Sequence, residues 1–251
     1  MNKVSIIIAI YNRLDMVAQC LNAIRKNSNY PYELILIDNG SDMETAQYIQ
    51  TQKDFDDIKK IFRFRKNRGF AAGYNKGLSF SDQHYRIIIN SDTKPYDGWL
   101  NKMIEVAETN QNAGLILPYT TFACNPHIVC KEEFWKESKS NKLDVNEDVP
   151  AVCWMITDKC YHQTCLVIKK LGGGYNFFHS KFKFGWAEDI LTSIVIRKLG
   201  FERYVVGGSF IYHYGMATQR ILTNAGNYRK DNMIKLKKYL EKLNQMDWSK
   251  P

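Results

Sequence analysis

The sequence lacks the cysteine pattern of a disulfide-stabilised or zinc-binding chain. Its six cysteines include no Cys-x-x-Cys pair, and a chain of 251 residues has a core large enough to fold without disulfide bonds. Internal repeats and low-complexity tracts are also missing, and 45% hydrophobic and 24% charged residues are ordinary values for a globular protein. We therefore expect a folded cytosolic protein with reduced thiols.

Long apolar runs are missing as well. No stretch approaches the roughly 20 apolar residues that a transmembrane helix requires. The apolar run at 4–10 is too short and badly flanked for a signal peptide. We expect a cytoplasmic protein that contacts a membrane at most peripherally, on its inner face.

The acidic residues are too few to balance the basic ones. The chain has 35 Lys and Arg against 26 Asp and Glu, a formal net charge of +9. An excess of this size favours anionic partners, which include nucleotides, phosphorylated lipids, acidic membrane surfaces and nucleic acid. The net charge alone does not indicate which of these partners the protein binds.

Strand-like and helix-like patterns alternate along the first half of the chain. The continuous apolar runs, rich in β-branched residues, predict buried strands at 4–10, 33–37, 61–64, 86–89 and 115–117. Helical spacing is found at 12–25, from about 42, and at 98–107. Such alternation predicts an α/β fold with a parallel sheet and helices on both faces.

Each of the first four predicted strands ends in polar residues. These strand ends are 11–13, 38–42, 66–69 and 90–92. Ligands of parallel α/β sheets bind at the carboxyl ends of the strands, so these side chains are expected to converge on one site. A single polar strand end is more simply a turn or a helix cap.

The second half of the chain is less regular. From 121 to about 158 periodic apolar positions are few, which predicts an insertion or lid with a short helix at 132–137. A helix at 188–198 and strands at 204–206 and 209–212 follow. The basic helix at 228–243 is expected to pack on the domain, with binding to a membrane surface as the alternative.

Six segments together resemble a known family. VSIIIAIYNR, ELILIDNGSD, KNRGFAAGYNKG, IINSDT, GWAEDI and YHYG, in this order, are similar to motifs of family 2 glycosyltransferases with the GT-A fold. The resemblance runs from Val4 to about Gly215. It implies a Rossmann-like, mostly parallel sheet with a nucleotide-sugar half at 1–120, a smaller acceptor-side half at 121–222, and the terminal helix at 223–251. It also implies inverting transfer from a nucleoside-diphosphate sugar, with Mn²⁺ or Mg²⁺, to an acceptor hydroxyl.

The resemblance assigns the nucleotide to the first strand ends. Asp38 and Asn39 offer acceptor and donor groups to a base or ribose, and Ala9 and Tyr11 would lie beside the base. Arg68 would reach the nucleotide, because its guanidinium suits phosphate. Many relatives have two acids where this chain has Asp38 and Asn39, and Asp38 alone is also a plausible turn residue.

Asn90, Ser91 and Asp92 occupy the place of the family's Asp-x-Asp motif. By this resemblance Asp92 holds the divalent cation against the pyrophosphate, while Asn90 and Ser91 lie at the nucleotide. Asn90 replaces the first acid of the motif, so metal affinity without nucleotide is expected to be weak. In some relatives a histidine at the position of His213 completes the metal shell, although a single histidine is more often structural.

The acidic pair in FKFGWAEDI is the candidate for acid–base chemistry. The family's base lies in this pair, which implies Asp189 first and Glu188 second as the group that deprotonates the acceptor. Acids are also common in the first turn of a helix, where they stabilise its dipole. Many relatives have another Asp where this chain has Leu191. The residues at 218–220 are expected in a loop that closes over the diphosphate.

Glycines recur every four residues at 69, 73 and 77. This spacing predicts a helix face on which Gly73 and Gly77 permit close packing. Asn75, on the same segment, is expected to be a buried hydrogen-bonding residue that organises the site.

Two other functions stay open from the residues alone. A nucleotidyltransferase also places acids and glycines at strand ends, but the compact AIYNR turn lacks its long glycine-rich phosphate loop. A non-catalytic binding module, on nucleic acid for example, would explain the charge and the aromatic stretch at 175–186. For a transferase, a UDP-sugar is favoured over dTDP- or GDP-sugars. The expected acceptor is a glycan or a lipid-linked glycan, and a modified nucleic-acid base is the alternative.

Overall fold

A computed structural model describes residues 4–143, 148–183, 185, 187–215 and 225–248. Its strands are β1 (Val4–Ile10), β2 (Tyr32–Asp38), β3 (Ile58–Arg63), β4 (Tyr85–Ile89), β5 (Thr93–Pro95), β6 (Ala113–Thr120), β7 (Asn141–Lys142), β8 (Cys153–Thr157) and β9 (Glu202–His213). Its helices are α1 (Leu14–Asn27), α2 (Met43–Thr51), α3 (Phe70–Leu78), α4 (Trp99–Thr109), α5 (Asp158–Lys170), α6 (Glu188–Lys198) and α7 (Ala225–Asn244).

The strands form one mixed sheet in the order β3-β2-β1-β4-β8-β6-β9-β5, and β7 pairs with β9. The first four strands are parallel, and β6 is parallel to β9. β8 lies antiparallel between β4 and β6. This sheet, with helices packed on it, confirms the predicted α/β class with a Rossmann-like, mostly parallel central sheet.

The first strand shows why a continuous apolar run forms a central strand. Ile6 and Ile8 of β1 pack into the core that holds Val17 and Leu21 of α1. Ile7 points to the opposite face, into the core that holds Tyr74 of α3. Because successive side chains of a strand alternate between faces, a strand covered on both sides needs apolar residues at every position.

The glycine face of α3 lies directly on the sheet. A Cβ atom at Gly77 would lie 2.2 Å from Cγ2 of Ile7, and one at Gly73 would lie 3.0 Å from Cβ of Ala9. Any side chain at Gly77 would therefore push the helix away from β1. The predicted close packing of this helix is confirmed, and it brings the start of α3 to the end of β1.

The expectation of an insertion or lid over the whole of 121–158 is wrong at its end. The short helix is present as a 3-10 helix at Glu132–Glu137, but Cys153–Thr157 is an internal strand of the sheet. Trp154 of β8 is fully buried. A five-residue strand buried on both faces has no alternation of polar and apolar residues, so its pattern is easily lost between polar neighbours.

The last two elements of the chain are the strand β9 and the helix α7. The two strands predicted at 204–206 and 209–212 are one long strand, β9. Leu236, Tyr239 and Leu243 of α7 are buried in a core shared with α6, which supports the packed interpretation of this helix. Among the described residues, no helix is long and apolar enough to cross a membrane.

Candidate active site

A cleft of about 640 Å³ opens where β1, β2 and β4 end and α6 begins. Its walls come from both halves of the chain, because the segments around 122–125 and 148–152 face the strand ends across it. The predicted site residues that line it are Ala9, Tyr11, Asn39, Asn90, Ser91, Asp92, Glu188, Asp189 and His213. Asp38 and Arg68 do not line the cleft.

Asp38, the last residue of β2, is fully buried. One carboxylate oxygen accepts a hydrogen bond from the Ser41 amide at 2.8 Å, and the other accepts one from Arg63 at 2.7 Å. Arg63 also donates to the Ser41 carbonyl at 3.0 Å. The described contacts of Asp38 therefore shape the loop after β2, and its carboxylate does not face the cleft.

Asn39 connects this loop to the start of α3. Its side-chain amide donates to the Gly69 carbonyl at 3.0 Å, and its Oδ1 accepts from the Arg68 amide at 2.9 Å. The Arg68 side chain is exposed, with its guanidinium carbon 5.8 Å from the centre of the Phe64 ring. Arg68 thus lies at the rim, next to Asn67 and Gly69, which do line the cleft.

The turn after β1 has an unusual backbone. Asn12 and Arg13 both have a left-handed backbone, with φ of 56° and 60°. This conformation is uncommon outside glycine, and asparagine tolerates it better than arginine. The Asn12 amide donates to the Ser41 hydroxyl, and its Oδ1 accepts from the Asp42 amide at 2.8 Å. These bonds join the loops that follow β1 and β2, directly after Tyr11 in sequence.

The polar turn after β4, at 90–92, contacts a tyrosine that the sequence analysis did not identify as a site residue. The buried hydroxyl of Tyr74 donates its one proton to the Ile89 carbonyl at 2.8 Å and Oδ1 of Asn90 at 3.1 Å, which share it. Thr93 closes the turn by donating to the Asn90 carbonyl at 2.7 Å. The side chain of Asn90 is therefore oriented by a neutral partner.

Asp92 faces His213 across the cleft floor. Oδ1 of Asp92 lies 3.4 Å from Nε2 of His213, and Nδ1 of the same ring lies 2.8 Å from the Phe122 carbonyl. A carbonyl only accepts, so Nδ1 carries a proton and Nε2 is the atom that faces the carboxylate. Burial opposes protonation of the ring, but the hydrogen bond and charge of Asp92 outweigh it and raise the pKa of His213.

The donor set of this pair suits a divalent cation. A histidine that binds a metal usually donates its other ring N–H to a carbonyl or carboxylate, as His213 does to Phe122. Among the described residues, no group of three or more His, Cys, Asp or Glu could hold a metal. Asp92 and His213 would thus supply two ligands, which matches the way Mg²⁺ binds with substrate phosphates and water.

The acidic pair begins α6 as predicted, and its two members differ. Oε2 of the buried Glu188 has no hydrogen-bond partner among the described residues. Burial and the neighbouring charge of Asp189 raise the pKa of Glu188 well above its ordinary value. Asp189 accepts hydrogen bonds from the amides of Ala151 and Ile190, which only partly offset burial, so its pKa is also raised.

Asn75 joins the two halves of the chain behind the cleft. Its side-chain amide donates to the Phe178 carbonyl at 2.7 Å, and its Oδ1 accepts from the Phe178 amide at 2.9 Å. This pair of bonds fixes the segment that leads towards α6 against α3. The residues at 218–220 and Trp186 lie outside the described part of the chain.

The comparisons with known proteins identify the family and the fold of this chain. The sequence model of the family described as "Glycosyl transferase family 2" matches residues 5–156, more than half of the chain. Glycosyltransferase AglE of Haloferax volcanii is 29% identical over 39% of this chain and 33% of its own length. The teichoic acid poly(glycerol phosphate) polymerase of Staphylococcus epidermidis is 25% identical over 58% of this chain and 20% of its own length. Chondroitin synthase of Pasteurella multocida is 29% identical over 52% of this chain and 13% of its own length. The chain thus spans a third or less of these relatives.

The solved structures extend the likeness to most of the fold. S. aureus TarS 1-349 has a TM-score of 0.62 and 15% identity, over 84% of this chain and 60% of that chain. TarS 1-349 has also been solved with UDP and with UDP-GlcNAc. At this identity the likeness shows the fold, and the mostly parallel sheet of the present chain is of the same GT-A type.

Proposed function

The chain belongs to glycosyl transferase family 2, and we propose that it transfers a sugar with inversion from a UDP-sugar to a glycan hydroxyl, with Mn²⁺ or Mg²⁺ bound. The observation that carries the proposal is that Asp92, His213 and Asp189 line one cleft, reached from both halves of the chain. In this proposal the donor occupies the half at 1–120, and the acceptor approaches along 121–222. Within the terminal region at 223–251, the described helix α7 packs on α6 and would support the acceptor side.

The nucleotide would lie on the loops that follow β1 and β2. Ala9 and Tyr11 line this end of the cleft, and Asn39 holds the start of α3 beside them. Arg68 would reach a phosphate from the rim, whereas Asp38 would act indirectly, by shaping the loop with Arg63. The complexes of TarS with UDP and UDP-GlcNAc support a UDP-sugar over other donors.

Asp92 and His213 would hold the cation against the diphosphate. When bound, the metal neutralises charge that develops on the departing diphosphate. Asn90 and Ser91 would lie at the same phosphates, and Tyr74 keeps the Asn90 side chain in place. Asn90 brings no charge, so a single carboxylate serves the metal, and we expect the cation to bind well only together with the nucleotide.

Asp189 would take the proton from the acceptor hydroxyl. Its raised pKa makes its carboxylate a stronger base than an ordinary aspartate. The Ala151 and Ile190 amides hold the two carboxylate oxygens in a defined orientation. A single base serves a single displacement, so the product anomer is inverted. Glu188 lies buried beside Asp189 and would stay largely neutral.

The acceptor is proposed from the names of the relatives. The names of chondroitin synthase and of the "Putative teichuronic acid biosynthesis glycosyltransferase TuaG" of Bacillus subtilis refer to the synthesis of glycans. Such acceptors support a glycan or lipid-linked glycan here, and a cytoplasmic enzyme with peripheral membrane contact would meet either. The present chain covers only part of each relative, so the assignment rests on the shared domain.

A thermal-shift panel tests this function. UDP, UDP-GlcNAc, UDP-glucose, dTDP-glucose and GDP-mannose are each added with and without Mn²⁺, because a ligand that binds only the folded state raises its stability. At about 100 times its dissociation constant, a ligand stabilises by about 2.7 kcal/mol. We expect the UDP compounds to raise Tm only with Mn²⁺. An unchanged Tm with every nucleotide would contradict the proposal.

A further inference from the structure

The positive charge of the chain is concentrated in one segment. Residues 58–81 contain seven Lys or Arg and no Asp or Glu. This segment alone therefore has a formal charge of +7, compared with +9 for the whole chain. It forms the edge strand β3, the loop to α3, and α3 itself, so the charge lies on one side of the molecule.

Most of these cations have no carboxylate partner. Lys59 pairs with Glu33 and Asp82, and Arg63 pairs with Asp38. The other five make no ion pair with any described residue; we call them the basic edge: Lys60, Arg65, Lys66, Arg68 and Lys76. Several lie over aromatic rings instead, with Nζ of Lys76 at 4.8 Å from the centre of Phe62 and 4.5 Å from that of Phe80. A ring is uncharged, so the positive field of the basic edge persists.

Protection of the sheet edge explains only part of this arrangement. Lysines on an edge strand discourage pairing with other chains. That role suits Lys60, which lies on β3. Arg65 and Lys66 come after the strand has ended, and Lys76 lies on α3, where they protect no edge.

The basic edge adjoins the nucleotide end of the cleft. Arg65, Lys66 and Arg68 line a neighbouring concavity of about 480 Å³, and Asn67 between them lines the cleft itself. Residues two positions apart along a chain lie within about 8 Å, which is about one Debye length at physiological ionic strength. The field of these side chains therefore extends over the cleft mouth.

The cleft needs such a field to attract an anion. Its described lining carries four carboxyl groups, Asp92, Asp148, Glu188 and Asp189, and no Lys or Arg. Glu188 stays largely neutral, but the other carboxyl groups repel a diphosphate that approaches the lining when they are ionised. Positive charge outside the lining offsets this repulsion during approach, and raises the association rate without any contact in the bound state.

We infer that the basic edge steers the anionic nucleotide sugar into the cleft. This inference rests on the proposed function, since it takes the donor to be a nucleoside-diphosphate sugar. Steering of this kind raises association rates by about 10 to 10³ and is screened by salt. It acts on the association rate and leaves the dissociation rate unchanged.

The test compares two triple variants of equal charge. Lys60→Gln/Arg65→Gln/Lys66→Gln removes three charges of the basic edge and leaves Arg68 in place. Lys169→Gln/Lys237→Gln/Lys238→Gln removes three exposed charges from α5 and α7 as the matched control. Stopped-flow kinetics with UDP and Mn²⁺ are measured from about 20 mM to about 500 mM ionic strength, a range over which the Debye length falls severalfold.

We expect the edge variant to bind UDP about 3- to 10-fold more slowly at low salt. Its rate should approach that of the wild type at high salt, with koff unchanged at every salt concentration. The ratio of wild-type to variant rates should rise from UMP to UDP to UTP, because the charge of the nucleotide rises. The control variant should follow the wild type.

Three kinetic outcomes would overturn the inference and leave the proposed function in place. Equal association rates, an equal loss in the control variant, or an effect confined to koff would each exclude steering by this surface. If the edge variant bound UDP with wild-type kinetics but was retained less strongly on heparin, steering would be excluded and the basic edge would instead be a binding surface for an anionic polymer. No UDP binding by the wild-type chain would overturn the proposed function together with this inference.

Discussion

Nε2 of His213 lies 3.4 Å from Oδ1 of Asp92, although one residue ends the longest strand of the sheet and the other follows β4. The backbone fixes this approach, because the Tyr214 amide donates to the Asp92 carbonyl at 3.1 Å. The pair also joins the two halves of the chain at the cleft floor, so that a cation held there would draw both halves together.

The first prediction concerns this pair. Asp92→Asn keeps the shape of the side chain and removes the proposed metal-binding charge, so Mn²⁺-dependent UDP binding should be lost while the fold survives. His213→Gln should weaken the same binding less, because one neutral ligand is replaced by a poorer one. Isothermal titration of UDP with and without Mn²⁺ measures both effects, and circular dichroism checks the fold. Unchanged metal dependence in Asp92→Asn would rule out this carboxylate as the ligand.

The second prediction concerns the proposed base. Asp189→Asn should lower kcat by about 10²–10⁴, the usual effect of a lost general base. UDP affinity should hardly change, because the interaction acts chiefly in the transition state. In the wild type, kcat should fall as the pH drops through the raised pKa of Asp189, since only the carboxylate can accept the proton.

Glu188→Gln is the matched variant for this test. A smaller loss of kcat than in Asp189→Asn supports Asp189 as the base, and the reverse order moves the role to Glu188. NMR of the product should show inversion of the anomeric configuration. Retention would contradict a single displacement even if both variants were inactive.

The third prediction concerns stability and pH. The pKa of Glu188 is raised in the folded state, so between its ordinary unfolded value and the raised value the folded chain binds more protons than the unfolded chain. Stability contributed by this group therefore falls as pH rises through that window. Glu188→Gln removes the penalty and should raise the free energy of unfolding at pH 7.

Urea denaturation at several pH values measures this effect. The gain should disappear below about pH 4, where glutamate is protonated in the unfolded state as well. Glu133→Gln, at an exposed glutamate, serves as the control and should change little at any pH. A variant less stable than the wild type at pH 7 would show that the Glu188 carboxylate has a stabilising partner.

The fourth prediction distinguishes the roles of two arginines near the nucleotide end of the cleft, Arg68 in UDP binding and Arg63 in stability. Arg68 is exposed and makes no ion pair with any described residue, so Arg68→Ala should lower UDP affinity about ten- to a hundredfold with little loss of stability. Arg63→Ala should instead destabilise the chain, because it leaves the carboxylate of Asp38 buried without its charged partner.

A double-mutant cycle checks the second half of this prediction. Asp38→Asn and Arg63→Ala should each lower the free energy of unfolding, and the double variant should lose less than the sum of the two, since the residues contact each other. Additive losses would show that the ion pair does not hold the loop. Equal UDP binding by Arg68→Ala and the wild type would exclude Arg68 from the nucleotide site.

Strand and helix positions near the cleft were determined largely by the sequence itself. The apolar runs of β1, β2 and β4 are continuous because these strands are buried on both faces, and such runs end visibly at the first polar residue. Parallel strands present their carboxyl ends at one edge, so most of the predicted polar residues were expected to meet, and they do line one cleft. The start of α6 at Glu188 was predicted at the residue where it occurs.

Only the tertiary structure decided what each of these side chains faces. Asp38 ends β2 and Asp92 follows β4, yet Asp38 pairs with Arg63 inside the loop while Asp92 faces His213 in the cleft. A local pattern records whether a residue is polar and where its strand ends. It does not record the partner that a distant segment brings to it. The sequence did not predict β8 for the same reason. Its place inside the sheet depends on pairing with β4 and β6, which lie far from it in sequence.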